Sequence, residues 1–294
     1  MFINVAEAAK VWNISERTVR HYCESGRVDG AILEKGVWKI PADAQKPIRK
    51  KRTIVQTGLL QRLLSEKNAQ RHGGVYHMLQ IEFAYNSNHI EGSKLTKDET
   101  KYIFETSTVG IDGPARVDDV IETVNHFRCF DYVLDTAHNR LTETYIKNIH
   151  RLLKSSTQSA NTPEAVVGNY KKLQNYVGDI QTSSPEMVRT DMQVLLRDYS
   201  RKEKTFDVIL DFHATFERIH PFYDGNGRVG RLIMFKECLC NGIIPFVIRN
   251  DNKAFYYRGL KEWQAGGEQG YLRDTCLLEQ DNTKRILDYF QIQH

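Results

Sequence analysis

What this sequence lacks narrows its function first. No apolar run approaches the roughly 18 residues that a membrane span requires, so no membrane partner is expected. The opening stretch, MFINVAEAAKVW, has neither the basic start nor the apolar core of a secretory signal. Five cysteines (Cys23, Cys129, Cys238, Cys240 and Cys276) are scattered and odd in number, and only Cys238 and Cys240 stand close together. A lone C-x-C without a second pair is a poor zinc site and no disulfide framework, so reduced thiols in a bacterial-type cytoplasm are expected. The pattern G-x-x-x-x-G-K-(S/T) is missing, which argues against an ordinary P-loop ATPase. There are no internal repeats and no low-complexity tract.

What is there is an ordinary globular composition with an uneven charge. The 294 residues are 40% hydrophobic and 27% charged, enough for one large domain or two smaller ones. Residues 1–52 hold eleven Lys/Arg against six Asp/Glu, a net of +5, which leaves the other 242 residues at −1 out of a total of +4. The basic character belongs to the N-terminal segment and hints at an anionic partner there.

That segment divides readily. Val5, Ala8, Ala9 and Trp12 have helical spacing, and Ser15 is a good N-cap for a second helix through Thr18, Val19, Tyr22 and Cys23 to a stop at Gly26. Ala31–Leu33, a Glu-Lys-Gly turn and Val37–Ile40 read as a small hairpin. The run SERTVRHYCESGRVDGA followed by WKIP resembles the excisionase/MerR-type winged helix-turn-helix. The resemblance implies a DNA-binding module over 1–46, with Arg17, Arg20, His21 and Arg27 as candidate contacts and Lys35 or Lys39 on the wing. Tight binding would need a homodimer. PIRKKRT opens a basic linker over 47–56.

From Thr57 onward amphipathic helical patterns dominate, as in Val120–Ala137 and Leu141–Leu153, so an all-α domain over 57–294 is expected. One exception is 166–185, where β-branched and aromatic residues around Gly168 and Gly178 suggest a hairpin.

The densest chemistry lies in HPFYDGNGRVGR, residues 220–231. A buried helix over Phe206–His220 should end where Pro221 disfavours helical geometry at His220. Gly225 and Gly227 free the backbone to turn N–H groups inward, and the next helix start adds unpaired donors, which together make an anion nest. Arg228 and Arg231, three apart, can face one anion, and Asp224 beside them suits a Mg²⁺ that keeps most of its waters.

This stretch resembles the Fic signature H-x-F-x-(D/E)-G-N-G-R-x-x-R at every defined position. The resemblance implies an all-helical domain with a small β-hairpin flap and an adenylyltransferase that moves AMP from ATP to a protein hydroxyl, its own included. It makes His220 the general base, Phe222 a core anchor and Asp224 the Mg²⁺ ligand. It places Gly225, Asn226 and Gly227 in the anion hole and Arg228 and Arg231 on the β- and γ-phosphates. The flap, over 166–185, would present the target segment by its main chain. Asn252, Tyr256 and Tyr257 in RNDNKAFYYRGLKEW are candidates near the adenine.

A second stretch, YNSNHIEGSKLTKDE, contains Ser87-x-x-x-Glu91-Gly92. It resembles the Fic inhibitory motif (S/T)-x-x-x-E-(G/N) in its class II position, on a helix near 80–92 ahead of the catalytic motif. The resemblance implies that Glu91 pairs with Arg231 and displaces the ATP γ-phosphate. A plainer reading, a helix C-terminus closed by Gly92, is compatible with it. Other readings stay open: removal of AMP using Glu91, another nucleotide donor, or a DNA-binding regulator whose second domain senses nucleotide.

Overall fold

A computed structural model describes residues 2–34, 36–47, 58–161, 166–177, 180–266 and 270–294. Lys35, most of the basic linker and Gly178 lie outside the described residues. The chain divides into two compact units, Met1–Thr53 and Ile54–His294.

The first unit is built from β1 (Phe2–Ile3), α1 (Val5–Trp12), α2 (Glu16–Glu24), β2 (Ile32–Glu34) and β3 (Val37–Pro41). Asn4 and Glu7 cap α1 reciprocally, each side chain accepting the other's backbone N–H. Asn13 closes the helix in the left-handed region, and Ser15 accepts from the Thr18 N–H to start α2. The antiparallel sheet has the order β1-β3-β2, with Ile3 opposite Ile40 and Leu33 opposite Trp38. Strand β1 was not foreseen, because two residues carry no alternation to read. Val5, Ala8, Trp12, Val19, Tyr22 and Ile40 make this unit's own core.

The second unit is mainly helical: α3 (Gly58–Asn68), α4 (Val75–Ile90), α5 (Lys97–Thr106), α6 (Val117–Asp135), α7 (Glu143–Lys154), α8 (Val188–Arg201), α9 (Phe206–Ile219), α10 (Asn226–Cys240), α11 (Lys253–Gln264) and α12 (Gly270–Tyr289). Helix α10 is the centre. Its apolar residues occur on every side, so it is buried almost throughout, packed by α9, α6, α7, α4 and α3. Burial extends to its charges, which must therefore be paired: Lys236 bonds Glu237 at 2.6 Å, and Glu237 accepts from the Tyr199 hydroxyl at 2.8 Å. Helix α4 buries polar residues too, among them Gln80, Asn86, Ser87 and Asn88.

The expected hairpin over 166–185 is shorter than its composition suggests. Strands β4 (Tyr176–Val177) and β5 (Ile180–Gln181) pair Tyr176 with Gln181 and Val177 with Ile180. Residues 166–175 are irregular, because buried Lys171 and half-buried Asn175 reach inward to the carbonyls of Ile219, at the end of α9, and Phe222, just after it, instead of alternating across a sheet. All five cysteines are free and buried. Among the described residues no helix is long and apolar enough to cross a membrane.

Candidate active site

The site forms where α9 hands over to α10. Helix α9 ends at His220, whose backbone takes the left-handed conformation (φ 51°, ψ 62°) rather than the extended one usual before proline. A non-glycine residue holds such a conformation only where its surroundings over-determine it. Here they do. The Lys171 N–H donates to the Pro221 carbonyl at 2.9 Å and the Asn175 amide to the Phe222 carbonyl at 3.0 Å. The Asn226 side chain accepts from the Phe222 N–H at 2.8 Å and donates to its carbonyl at 2.9 Å. Asn226, expected in an anion hole, thus spends its amide on pinning the loop.

Phe222 is fully buried and stacks on the His150 imidazole, ring centroids 3.9 Å apart and nearly parallel. His150 accepts the Gly168 N–H on Nδ1 at 2.9 Å, so its proton sits on Nε2 and is donated to the Asp224 carbonyl at 3.1 Å. Burial pushes its pKa down to about 4, which keeps it in that neutral form.

The charges are arranged in a chain. Lys154 joins Glu122 and the Asp224 carboxylate, the latter at 2.6 Å, while the other Asp224 oxygen accepts the Gly225 N–H at 2.6 Å. Burial alone would raise the Asp224 pKa, but Arg228 and Lys154 outweigh it and bring it to about 2. Arg228 pairs with Glu122 and reaches Asn88 at 3.4 Å. Arg231 donates from Nε to the Ser87 hydroxyl at 3.0 Å, and from Nη2 to the Ser87 carbonyl at 2.9 Å and to Glu91 at 2.7 Å. Glu91 caps α4, and Gly92 follows at φ 98°. Although burial opposes it, Arg231 and Arg228 hold the Glu91 carboxyl below its ordinary range.

A cavity of about 480 Å³ opens on these groups, lined by Glu91, Gly227, Arg231 and His220 on one side and by Tyr256, Tyr257, Leu260 and Gln264 on another, with Tyr176 and Val177 at its edge. Arg231, which lines the cavity, keeps Nη1 buried and without a hydrogen-bond partner, a donor ready for an anion, and Arg228 Nε is buried and unpartnered as well. A hollow of about 530 Å³ between α8 and α9 is larger but has three aspartates on its wall, Asp191, Asp198 and Asp211, and is no anion site.

Of the sequence-derived site residues, Glu91, His220, Gly227, Arg231, Tyr256 and Tyr257 line the cavity. Asp224, Gly225, Asn226 and Arg228 lie in the α9–α10 connection and the first turn of α10 without lining it, and Arg17, Arg20, His21 and Arg27 belong to the first unit. Asn252 does not line the cavity; its amide is donated to Glu279 at 2.6 Å. Tyr256 is fully buried and bonds His213 at 2.7 Å, while Tyr257 is partly exposed in the cavity wall. Burial, with help from the Lys171 charge, lowers the His220 pKa from its ordinary value to about 4. Its Nδ1 lies 3.2 Å from the Glu217 carbonyl, which can only accept, so Nδ1 carries the proton and Nε2 is the free base. Buried Glu217 itself is raised to about 8. Asp224 is acceptor-only, about half-exposed and anionic at any physiological pH, which fits one carboxylate ligand of a Mg²⁺ that takes its other ligands from water and phosphate.

Residues 140–238 match the Fic/DOC family. The matched segment contains α7, α8, α9, most of α10 and the whole of the stretch 220–231. A probable protein adenylyltransferase of Aquifex aeolicus is 29% identical over 219 residues, covering 67% of this chain and 62% of its own. The protein adenylyltransferase Fic of Nematostella vectensis is 28% identical over 214 residues, covering 71% and 48%. The chain thus spans less than two thirds of the length of these relatives. In fold it is similar to a Fic domain-containing signalling protein from Bacteroides thetaiotaomicron (TM-score 0.57, 24% identity, 79% of this chain and 92% of that one). It is similar as well to Fic-1 from C. elegans (TM-score 0.59, 21% identity, 79% and 72%).

Sequence reasoning missed the residues that hold the α9–α10 connection in place. His150 occupies the apolar stripe Ile146–Ile149–Leu153 of α7, and a histidine in such a stripe was the available signal. Lys154 follows four residues later on the same face. Glu122, Lys171 and Asn175 had no local signal, since their partners are 106, 48 and 47 residues away. His126 is buried with neither ring nitrogen partnered.

Proposed function

We propose that the chain is an autoinhibited protein adenylyltransferase. The observation that carries this reading is Arg231, inside the cavity that His220 lines, with its guanidinium engaged by Ser87 and Glu91. ATP lies with its base toward Tyr256 and Tyr257 and its phosphates toward Gly227 and Arg231. The γ-phosphate competes with Glu91 for Arg231, because a guanidinium fork suits either anion. While Glu91 holds the site, the α-phosphate is not in line for attack. Once Glu91 is displaced, a Ser, Thr or Tyr hydroxyl presented along Tyr176–Val177 attacks the α-phosphorus. The new O–P bond forms as the bond to the β-phosphate oxygen breaks, pyrophosphate leaves, and the hydroxyl proton passes to His220 Nε2. Mg²⁺ bound at Asp224 would neutralise phosphate charge. Burial that makes free His220 a weak base is offset in the complex by the polyphosphate's own negative charge, which favours the imidazolium.

For the first unit we propose DNA binding, on the observation that Arg17, Arg20, His21 and Arg27 are all exposed along α2 and just past its end. A salt-dependent affinity for duplex DNA, lost on Arg17→Ala with Arg20→Ala, tests it.

The transferase reading is tested with α-labelled ATP and Mg²⁺ on wild type, Glu91→Gly and His220→Ala. Strong protein labelling by Glu91→Gly, faint labelling by wild type and none by His220→Ala is the expected result. Release of AMP from a pre-labelled target without labelling would replace transfer by hydrolysis. ATP binding with neither reaction would leave a nucleotide sensor.

A further inference from the structure

Away from this cavity, three side chains from three successive elements converge. His72 lies in the connection between α3 and α4, His77 in the first turn of α4, and Glu105 in the last turn of α5. One donor atom from each lies within 4.8 Å of the other two. The His72 and His77 rings meet edge to face with centroids 5.6 Å apart. His77 Nε2 is buried and makes no hydrogen bond. Glu105 Oε1 lies 2.9 Å from it, an ion-pair distance. With the His72 donor within 4.8 Å of both, two imidazole nitrogens and a carboxylate oxygen face one small space.

We propose that His72, His77 and Glu105 form a binding site for a divalent transition-metal ion of the zinc class. Two imidazoles and one carboxylate are the donor set such ions take, and three protein ligands leave a position for water. Magnesium and calcium, which prefer all-oxygen shells, do not suit it. His72 and Glu105 are exposed, which leaves the ion a way in. No thiolate competes from the surface, since every cysteine is buried. An ion here ties the α3–α4 connection and the end of α5 to the first turn of α4, the helix whose far end is capped by Glu91.

Zinc titration of the full chain without nucleotide tests the site, with Co²⁺ as a spectroscopic substitute. One equivalent of Zn²⁺ should bind and raise the melting temperature, and Co²⁺ should give visible ligand-field bands. His72→Ala and Glu105→Gln, both at exposed positions, should each weaken binding by roughly tenfold or more, while Asp224→Asn should leave it unchanged. No saturable uptake by wild type, uptake that survives both substitutions, or uptake lost in Asp224→Asn would each overturn the proposal.

Discussion

Glu91 and Arg231 are joined across 140 residues by a 2.7 Å charged hydrogen bond, and Ser87, one helical turn before Glu91, holds the same guanidinium through its hydroxyl and its carbonyl. Glu91 can therefore leave without setting Arg231 adrift. Removing it by Glu91→Gly should raise AMP transfer by about tenfold or more, because each ~1.4 kcal/mol of lost competition is a factor of ten in occupancy by γ-phosphate. The nucleotide-free variant should be less stable by about 1–3 kcal/mol, as a buried charged donor loses its carboxylate. ATP should restore the difference. Thermal melts with and without ATP, run beside the labelling assay, check both halves.

Gly227 makes a contrasting case. A Cβ there would lie 2.4 Å from Glu91 Oε1 and 2.9 Å from Arg231 Nη1. Gly227→Ala should therefore expel Glu91 just as Glu91→Gly does. The added methyl fills the same space that the phosphate needs, so labelling should stay at or below the wild-type level and ATP affinity should fall. Strong labelling by Gly227→Ala would show that the anion binds elsewhere in the cavity.

The pH dependence follows from the direction of the His220 shift. Its folded pKa, about 4, lies below the ordinary value of 6.5, so the neutral base persists well into the acid range. For Glu91→Gly, kcat/KM for ATP should stay flat from neutrality down past 6.5 and decline only toward 4. Bound polyphosphate favours the imidazolium, so the acid limb of kcat should lie at higher pH than that of kcat/KM. Coincident limbs at 6.5 would remove the burial effect from the mechanism.

Much of this site was legible in the twelve residues 220–231 because they are contiguous, and their spacing alone places a base, an acid, two glycines and two arginines on one loop. Ser87 and Glu91 were legible for the same reason, four residues apart on one helix. The supports were not. His150, Glu122, Lys154 and Lys171 act across long stretches of chain, and nothing near them in sequence says what they meet. The two-residue strand β1 escaped for a different reason, since pairing of two residues leaves no alternation, and for the same reason the hairpin expected over 166–185 could not be bounded more closely. The surroundings of Asn252 were not legible, because a helix-start asparagine looks the same in sequence whether it faces a cavity or, as here, donates to Glu279.

Asp224 should carry the metal dependence. Chelation of Mg²⁺ should abolish labelling in Glu91→Gly, and Asp224→Asn should do so even at high Mg²⁺. Because its pKa is depressed from 3.8 to about 2, the carboxylate's pairing with Arg228 and Lys154 stabilises the fold above 3.8 and is lost only as pH falls through about 2. At neutral pH the Asn variant should still fold, since Lys154 keeps Glu122 and Arg228 keeps Glu122 and Asn88. Circular dichroism and ATP binding measured together separate loss of metal from loss of structure.

His150 offers the sharpest test of how the loop is held, because its two nitrogens do opposite things. Nδ1 accepts from Gly168 and Nε2–H donates to the Asp224 carbonyl, an arrangement only the neutral ring can make. Protonation puts a second proton where the Gly168 N–H already points. With the folded pKa near 4 against 6.5 unfolded, the unfolded chain takes up the proton first as pH falls. Stability from this group is thus complete above 6.5 and drains away between 6.5 and 4, on the order of 3 kcal/mol in all. His150→Gln cannot titrate. It should melt lower at pH 7.5, having lost the stack on Phe222, yet its melting temperature should fall less steeply than wild type between pH 6.5 and 4.5. Parallel curves would mean that other buried imidazoles, His126 and His213, carry the acid sensitivity instead.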